Sequence, residues 1–395
     1  MRNMLWLAFV MVAGMALAGN WYVDGSAGND SNTGASWATA KQSIQAAIDA
    51  ADPYDTITVA DGVYAPISTS NTFLTIQSVN GAAATIIDGD NTTRCATLGS
   101  NTFHTNTVLT GFTLMNGVAT NGTTTDGGGA YYGTLNNCIL TGNRATRGGG
   151  AYGGTLNNCM LTGNSAIVDG GGSAYNTLNN CTVSGNSAGD KGGGTQSGTM
   201  NNCIVWGNTA STGASINYVS GTFNYSCTEP PRLGLGNIST DPLFINAARG
   251  DYRLQNESPC IDKGDNRLVI GTSDVGGNPR IAGSVVDMGA YEWYAGMASQ
   301  SEYEIWLDEH ELDDTPENYD KWLVDPSDLS ASLTAFIDME DGMALITWAP
   351  NLGEKRLYTI WGKEHLTNLT WKAITPPDMP TTPTHFFKVS VQEAP

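Results

Sequence analysis

The chain has 395 residues, a formal net charge of −20, and a charged fraction of only 14% beside a hydrophobic fraction of 40%. This composition excludes a wholly disordered chain, because enough apolar side chains are present to form a large core. The acidic balance argues against a nucleic-acid partner, because phosphate binding requires clustered Lys and Arg.

Residues 1–18 are predicted to be an export signal. Arg2 precedes an apolar run from Met4 to Leu17, and the run ends in the small-residue site Ala16-Leu17-Ala18. This run is too short for a typical membrane span, and no later segment is long and apolar enough to form one. We therefore expect a mature chain that starts near Gly19, has no membrane span, and is secreted or attached to the cell surface.

A helix is predicted at residues 37–51, "WATAKQSIQAAIDAA", with Ser36 as its N-cap and Pro53 as its stop. Its apolar face would cover the open end of a stacked repeat, which otherwise exposes core and strand edges. The next segments, "DTITVADGVYA", "NTFLTIQSVNG", "ATIIDGDN" and "NTVLTGFTLMNG", are interpreted as four early, irregular coils of that repeat.

A clear repeat of about 22 residues follows and determines the predicted fold. Its cysteines, at steps of 21, 22 and 22 residues, are Cys138, Cys159, Cys181 and Cys203. The same steps relate an apolar column (Leu135, Leu156, Leu178, Met200), an asparagine column (Asn143, Asn164, Asn186, Asn208) and Gly triplets that begin at Gly127, Gly148, Gly170 and Gly192. This period and punctuation favour three short strands and three bends per coil over a leucine-rich repeat or a propeller blade. The fold class is therefore all-β, a right-handed single-stranded parallel β-helix, with inward Leu, Val and Cys and with asparagines hydrogen-bonded between coils.

Two further columns are candidate functional sites. The residue before each Gly triplet alternates in charge from coil to coil: Asp126, Arg147, Asp169 and Lys191. We favour an exposed ladder of ion pairs over a catalytic or substrate-binding strip. The residues after the triplets include Tyr131, Tyr132, Tyr152 and Tyr175. If they face outward they would form a sugar-stacking strip, and if they face inward they belong to the core; the sequence leaves both open.

The remaining cysteines suggest little chemistry. Seven is an odd number, and stacked cysteines with parallel Cβ directions do not form relaxed disulfides. Cys227 with Cys260 is the one pairing we consider, in an exported chain that would permit disulfides. No metal site is assigned, and calcium is the one ion considered as a cofactor, for reasons given below.

Several segments resemble known families. The stretch from Trp21, "WYVDGSAGNDSNTGASWATAKQSIQAAIDAADPYDTITVADGVY", resembles the entry segment of pectate-lyase-like β-helix proteins, and "GGGAY…LNNCMLTGNSA" is similar to the repeats of chlamydial polymorphic outer-membrane proteins. The stretch "DPLFINAARGDYRLQNESPCIDKGDN…DVGGNPRIAGSVVDMGAYEW", residues 241–294, closely resembles the choice-of-anchor Q module. The resemblance implies that residues 19–294 form the β-helix and that this module ends it.

The C-terminal quarter resembles modules of secreted proteins from the Verrucomicrobia and Lentisphaerae group. Residues 331–395 are expected to form a small β-sandwich, with strands at residues 344–348 and 357–361 and a turn at Asp341-Gly342. Residues 295–330 are expected to be an acidic linker or helix; from Ser301 onward eighteen Asp and Glu face six Lys and Arg, a net charge of −12. Relatives carry a calcium loop in the acidic segment, but its spacing is absent here. Asp308, Asp313, Asp314 and Asp325 are therefore only candidates, and a solvated surface is preferred.

Three classes of function remain. The preferred one is a carbohydrate-binding or structural and adhesive β-helix protein, whose partner is a polysaccharide or another cell-envelope component. The alternative is a polysaccharide lyase or glycoside hydrolase of the pectate-lyase-like superfamily, and an adhesin-like passenger is the third. Residues 135–208 contain only Asp169 and Asp190 as acidic residues, so no catalytic residue is assigned, and the protein is expected to bind rather than to cleave.

Overall fold

The computed structural model describes residues 18–69, 72–100, 107–122, 124–211 and 216–294, together with the backbones of four strands after residue 333. Residues 1–17 of the expected export signal and the acidic segment 295–330 lie outside the described residues. The same holds for the predicted strand at residues 357–361 and for the four calcium candidates Asp308, Asp313, Asp314 and Asp325. The chain divides into two units, Met1–Gln300 and Ser301–Pro395.

The first unit is a parallel β-helix, as predicted, but each regular coil has four short strands rather than the expected three. Within the described ranges, its longest sheet, sheet 1, has nine strands, and each pairs in parallel with the equivalent strand of the next coil. The strands of sheet 1 are Asn20–Val23, Thr56–Val59, Thr75–Ser78, Val108–Thr110, Thr134–Asn136, Thr155–Asn157, Thr177–Asn179, Thr199–Asn201 and Thr222–Asn224. The registered pairs Leu135–Leu156, Leu156–Leu178 and Leu178–Met200 reproduce the steps of the sequence repeat.

Three further parallel sheets complete the coils in the described part of the chain. Sheet 2 contains Gly62–Tyr64, Thr85–Asp88, Thr113–Met115, Ile139–Thr141, Met160–Thr162, Thr182–Ser184, Ile204–Trp206 and Cys227–Thr228. Sheet 3 contains Ile67–Ser68, Ala96–Thr97, Ala130–Tyr131, Ala151–Tyr152, Ser173–Ala174, Thr195–Gln196 and Tyr218–Val219. Sheet 4 contains Val118–Ala119, Arg144–Ala145, Ser165–Ala166, Ser187–Ala188 and Thr209–Ala210.

The prediction of four early coils was wrong by one. The strands Thr75–Ser78 and Thr85–Asp88 belong to sheets 1 and 2 of the same coil, because Thr85–Asp88 pairs with Gly62–Tyr64 and with Thr113–Met115. "NTFLTIQSVNG" and "ATIIDGDN" are therefore two sides of one long coil. Nothing in the local pattern distinguishes a bend within a coil from a step to the next coil when the repeat is irregular.

The tetrapeptide Thr-Leu-Asn-Asn explains how each regular coil turns its first corner. Leu135 points inward and is fully buried, while its neighbours Thr134 and Asn136 point outward. The second asparagine then adopts a left-handed backbone, with φ near +50° at Asn137, Asn158, Asn180 and Asn202. Asparagine tolerates this region better than most residues that carry a Cβ, which explains its place at the corner.

The Gly triplets are needed because two coils approach each other closely there. A Cβ on Gly149 would lie 2.3 Å from the carbonyl oxygen of Ser165 and 2.5 Å from that of Gly171. Both are backbone atoms of the next coil and cannot move aside. A larger residue at this position would push adjacent coils apart.

Columns of identical side chains fill the interior. Leu135, Leu156, Leu178 and the matching side chains of sheet 2 have no exposed surface, and a fully buried Leu contributes about 1.5–3 kcal/mol. The asparagine column, Asn143, Asn164, Asn186 and Asn208, is buried as well. Each Nδ2 in this column donates to the Oδ1 of the next coil's asparagine at 2.9–3.0 Å, which confirms the predicted ladder.

The cysteines lie inside, as expected for small apolar side chains. All seven are buried free thiols. In the column of four, the backbone N–H of one cysteine donates to the Sγ of the next coil's cysteine at 3.4–3.5 Å. Cys227 and Cys260 lie in one apolar cluster, but the disulfide considered for them is not formed.

The N-terminal helical cap is present but shorter than predicted. Helix α1 spans Ile44–Ala50 and begins at Ser43, whose hydroxyl accepts a hydrogen bond from the N–H of Ala46. Ser36 instead precedes a short 3-10 helix, Trp37–Thr39, and forms no side-chain cap. Helix cannot extend between the two because Lys41 pairs with the first strand: its N–H donates to the carbonyl of Tyr22. In the described residues, no helix has the length and apolar content of a membrane span.

Residues 241–294 pack along the flank of the coils rather than continuing the stack. They contain the antiparallel strands Phe244–Asn246 and Asp251–Leu254 and the 3-10 helices Ala247–Arg249 and Asn266–Leu268. The Nδ2 groups of the left-handed asparagines donate to backbone oxygens of this segment, on four consecutive coils: Asn137 to Ser273, Asn158 to Ile270, Asn180 to Asp287 and Asn202 to Asp265. We refer to residues 241–294 as the flank segment.

A buried group of charged side chains organises the flank segment. Arg280 and Glu292 are each about 1% exposed at their side chains and form an ion pair at 2.8 Å. Asp287 accepts from the backbone N–H of Asp262 and of Trp293, and Asp274 accepts from that of Glu292. Because nearly every buried charge has partners, this polar core acts as a structural element.

The second unit is described only by its strand backbones. Thr334–Glu340 pairs antiparallel with Met343–Ala349, and Leu369–Ala373 pairs antiparallel with Phe387–Val391. Met343–Ala349 contains the strand expected at residues 344–348. The arrangement of these two pairs as a β-sandwich stays a prediction.

Candidate functional site

Three tyrosine rings form a continuous strip on the outer face of sheet 3. Tyr131 and Tyr152 are direct partners in the parallel register, and their rings stack with centroids 5.7 Å apart and planes 14° apart. Tyr175, one coil further, lies 5.5 Å from Tyr152 with its ring turned by 63°. Tyr131 and Tyr152 are half-buried and Tyr175 is 47% exposed. We call Tyr131, Tyr152 and Tyr175 the tyrosine strip.

The backbone explains why Tyr175 projects further than its neighbours. Tyr152 is the second residue of its strand, whereas Tyr175 follows the strand and occupies the bend, with φ of +58°. The same bend position on the next two coils is Ser197 and Ser220, with φ of +57° and +59°. A side chain at this position leaves the sheet at its edge.

Tyr132 does not belong to the strip. It is 8% exposed, and a Cβ on Gly153 would lie 2.6 Å from its ring, so the ring fills the space above that glycine. Burial raises the pKa of the Tyr132 hydroxyl to about 12. The tyrosines that the sequence left undecided are thus divided, with three facing outward and one packed.

Two arginines lie over the strip. The Arg147 guanidinium is 5.3 Å from the ring centroid of Tyr152 and 5.9 Å from that of Tyr175. Arg94 lies 4.7 Å from the ring of Tyr131. Arg94 is held by the carbonyl oxygens of Thr124, Asp126 and Gly127, at 2.8–3.0 Å. Arg94 could not be identified from the sequence, because it lies in an irregular coil and belongs to no column.

The alternating charge column pairs at one end only. Arg147 donates Nε and Nη2 to the two carboxylate oxygens of Asp126, at 3.0 and 2.7 Å, and this contact raises the pKa of the Arg147 guanidinium. In the described residues, no lysine ammonium group forms an ion pair with the Asp169 carboxylate. It accepts instead from the backbone N–H of Lys191 at 3.1 Å and from Nε2 of Gln196 at 2.8 Å. The Lys191 Nζ lies 3.9 Å from Asp190, so among the described residues the expected ladder of ion pairs is limited to Arg147 and Asp126.

This arrangement offers a surface for contact rather than free groups for acid–base chemistry. The exposed parts of the three rings offer apolar surface, and the tyrosine hydroxyls supply hydrogen-bond groups beside it. Both oxygens of Asp126 and both oxygens of Asp169 already accept hydrogen bonds from the protein. Within the described ranges, no group of three or more His, Cys, Asp or Glu side chains is placed to hold a metal ion.

A separate small cleft lies where the flank segment passes the coils. It has a volume of about 230 Å³ and is lined by side chains that include Asn136, Asn137, Asn158 and Thr272. Asn158 donates to the carbonyl of Ile270 at 2.8 Å, while its buried Oδ1 accepts no hydrogen bond from the described residues. This volume is below that of typical ligand pockets, so the strip is the better candidate for contact with a polymer.

Comparison of the sequence with protein-family models and with curated proteins gives no match. Among solved structures, the chain is similar to pectate lyase Pel9A, with 14% identity and a TM-score of 0.35 over 71% of this chain and 98% of that chain. It is also similar to a rhamnogalacturonan lyase, with 14% identity and a TM-score of 0.32 over 53% and 68% of the two chains. A third similar structure is the pectin methylesterase from Aspergillus niger, with 15% identity and a TM-score of 0.30 over 57% and 82%.

Proposed function

We propose that this protein is a secreted or cell-surface β-helix protein that binds a polysaccharide along the tyrosine strip. One observation carries the proposal: outward-facing tyrosine rings occupy three consecutive coils, with centroids 5.5–5.7 Å apart. A row of rings at the coil spacing presents a repeated contact surface, which suits a ligand that is itself a repeat. Residues 1–18 would direct export, and the flank segment, which resembles an anchoring module, would serve attachment to the envelope.

The charges around the strip favour a neutral polysaccharide. The Arg147 fork is already occupied by Asp126, so the carboxylate of an acidic sugar would have to displace an existing bidentate pair. Asp169 and Asp190 lie on the adjoining coils and would repel a polyanion, as would the net charge of −20. A neutral chain meets no such cost.

Substitutions taken from the repeat itself provide the test. Ala174 is the registered partner of Tyr152 on the next coil, and Ser197 occupies the bend position of Tyr175. Tyr152→Ala combined with Tyr175→Ser therefore removes two rings with residues that the fold already accepts at these positions. Two stacking contacts of about 0.5–1.5 kcal/mol each correspond to roughly tenfold weaker binding.

Binding is measured by affinity electrophoresis in gels that contain a neutral or an acidic polysaccharide. Tyr54→Ala is the matched control, since Tyr54 is 68% exposed and stacks on Phe73 away from the strip. Retardation by a neutral polymer that is lost in the double variant and kept in the control supports the proposal. Equal retardation of all three proteins contradicts it.

The alternative function, a polysaccharide lyase or glycoside hydrolase, is tested on the same samples. Each polysaccharide is incubated with the protein, with and without calcium, and the products are analysed by mass spectrometry. Release of oligosaccharides would replace the binding proposal by an enzymatic one, and unsaturated ends would identify a lyase. Intact polymer with retained binding keeps the proposed function.

A further inference from the structure

The first strand of sheet 1 begins next to a buried carboxylate. Gly19 directly precedes the strand Asn20–Val23, and its nitrogen lies 2.5 Å from Oδ1 of Asp55. Its carbonyl accepts from the N–H of Thr56 at 2.9 Å, which continues the parallel pairing of the first two strands. Gly19 is therefore held at both its nitrogen and its oxygen.

Asp55 carries a negative charge without a cation beside it. The residue is 5% exposed. Its oxygens accept from three N–H groups, those of Gly19, of the Trp21 indole at 2.8 Å and of the Asp52 backbone at 2.9 Å. In the described part of the chain, no Lys, Arg or His forms an ion pair with it. A buried carboxylate is normally paired with a cation, so a positive charge beside Asp55 would stabilise it.

We propose that cleavage between Ala18 and Gly19 supplies that charge, so that the α-ammonium of the mature chain forms an ion pair with Asp55. Water hydrolyses the peptide bond: its hydroxyl adds to the Ala18 carbonyl carbon and its proton goes to the Gly19 nitrogen as the C–N bond breaks. The proton of the new Ala18 carboxylic acid then completes the Gly19 –NH₃⁺ and leaves Ala18 as a carboxylate. The expected cleavage site, Ala16-Leu17-Ala18, ends at this bond. The nitrogen that now donates as a neutral amide would donate as a cation, and such charge-assisted hydrogen bonds are roughly twice as strong.

The site fits a glycine at the new N-terminus. A Cβ on Gly19 would lie 3.1 Å from both carboxylate oxygens of Asp55, so a side chain would force the carboxylate away from the nitrogen. Ala18 is exposed, so the nitrogen gains access to solvent on the side that the leader leaves. Processing would thus tighten the first strand onto the β-helix, independently of any ligand at the tyrosine strip.

The position of cleavage is tested first. The full-length chain is expressed in a secreting host, and the exported protein is examined by N-terminal sequencing and intact mass. The expected first residue is Gly19. A mature chain that starts at any other residue overturns the proposal.

The ion pair is tested by a cycle of two changes. Residues 19–395 are released from a tag by a protease that leaves Gly19 first, and are compared with the same chain extended by Ala18, each with and without Asp55→Asn. We expect the free Gly19 chain to melt roughly 2 °C higher than the extended chain, and the difference to vanish when both chains carry Asp55→Asn. Asp52→Asn is the matched control and should keep the difference.

Chemical acetylation of the Gly19 amine gives a second measurement that does not depend on whether Asp55→Asn folds. Acetylation keeps an N–H donor at the same position and removes its charge. A lower melting temperature of the acetylated chain supports the ion pair. Equal melting temperatures of the free and the acetylated chains overturn it.

Discussion

All four cysteines of the regular coils fill core space, and the sulfurs of Cys159, Cys181 and Cys203 also accept a hydrogen bond from a backbone N–H of the preceding coil. The N–H of Cys159 donates to the Sγ of Cys181, and that sulfur in turn donates to the carbonyl of Leu156. At the end of the column Ser226 takes the same place: its hydroxyl accepts from the N–H of Cys203 at 3.0 Å and donates to Met200 at 3.2 Å. The column therefore places a small acceptor on each coil from Cys159 to Ser226, and the protein uses either a sulfur or a hydroxyl for this role.

A pair of substitutions at Cys181 should separate these two roles. Cys181→Ser keeps the acceptor in the manner of Ser226, and we expect it to change the free energy of unfolding by less than about 1 kcal/mol. Cys181→Val keeps an apolar side chain but leaves the N–H of Cys159 without a partner, at a cost of about 1–3 kcal/mol. Both values come from urea unfolding. A valine variant as stable as the serine variant would show that the contact contributes nothing.

At the scale of strands and bends, the glycines of a coil are not equivalent. A Cβ on Gly149 would meet two backbone oxygens of the next coil, whereas a Cβ on Gly163 would meet nothing closer than 3.8 Å. Gly163 has a φ of +63°, so its requirement is conformational only. One glycine is needed for space and the other for backbone geometry.

Alanine at each position should measure this difference. Gly163→Ala is expected to cost about 1–2 kcal/mol, the strain of one left-handed alanine. Gly149→Ala is expected to cost more than about 3 kcal/mol, because adjacent coils must separate to admit the methyl group. Thermal unfolding of the two variants provides the comparison, and similar losses for both would show that the coils can yield at Gly149.

Predictions from sequence succeeded where a residue recurs on every coil. Leu135 and Asn143 could be placed because a column of identical side chains has only one environment, inside and stacked. Whether Tyr132 and Tyr175 face inward or outward could not be predicted, since both occupy the same bend position on their coils. Tyr132 is buried because Gly153, at that position on the next coil, leaves space for its ring. The start of helix α1 was missed because a strand pairing at Lys41 overrides the helical pattern.

At the scale of the whole molecule, the flank segment introduces a titrating group into an otherwise sparsely charged interior. Burial raises the pKa of the Asp287 carboxyl to about 7, although the N–H of Asp262 donates to it; Glu292 raises it further and Arg280 opposes that effect. In the unfolded chain an Asp has a pKa of about 3.9. The folded protein therefore binds this proton more tightly, and the associated stability is complete below about pH 4 and is lost as the pH rises through about 7.

We expect the melting temperature to fall between pH 5 and pH 8, and the fall to be smaller in Asp287→Asn. Burial raises the pKa of Glu292 too, so part of the effect should persist in this variant. Asp262→Asn, at an exposed residue of the same segment, is the control and should retain the full difference. Calorimetry at the two pH values measures it. An equal fall in Asp287→Asn and in the unsubstituted protein would remove Asp287 as the cause.

The surface on which the flank segment packs could not be predicted from the sequence. Its resemblance indicated a module but not the surface on which the module packs. That surface is formed by Asn137, Asn158, Asn180 and Asn202. The repeat pattern accounts for these asparagines by their left-handed backbone conformation and gives no sign of their side-chain contacts. Their side-chain donors meet a partner about 60–140 residues further along the chain, and such distant pairings leave no periodic trace.

The hydrogen bonds between the flank segment and four coils also affect how the β-helix unfolds. In a stacked repeat each coil touches only its neighbours, so unravelling can start at an open end and advance coil by coil. The flank segment is hydrogen-bonded to four consecutive coils. If it detaches, a buried side-chain donor on each of these coils is left without a partner, so the four coils should unfold together. These four coils should consequently resist fraying as one cooperative block, and amide exchange in them should be slow and uniform rather than graded from one coil to the next.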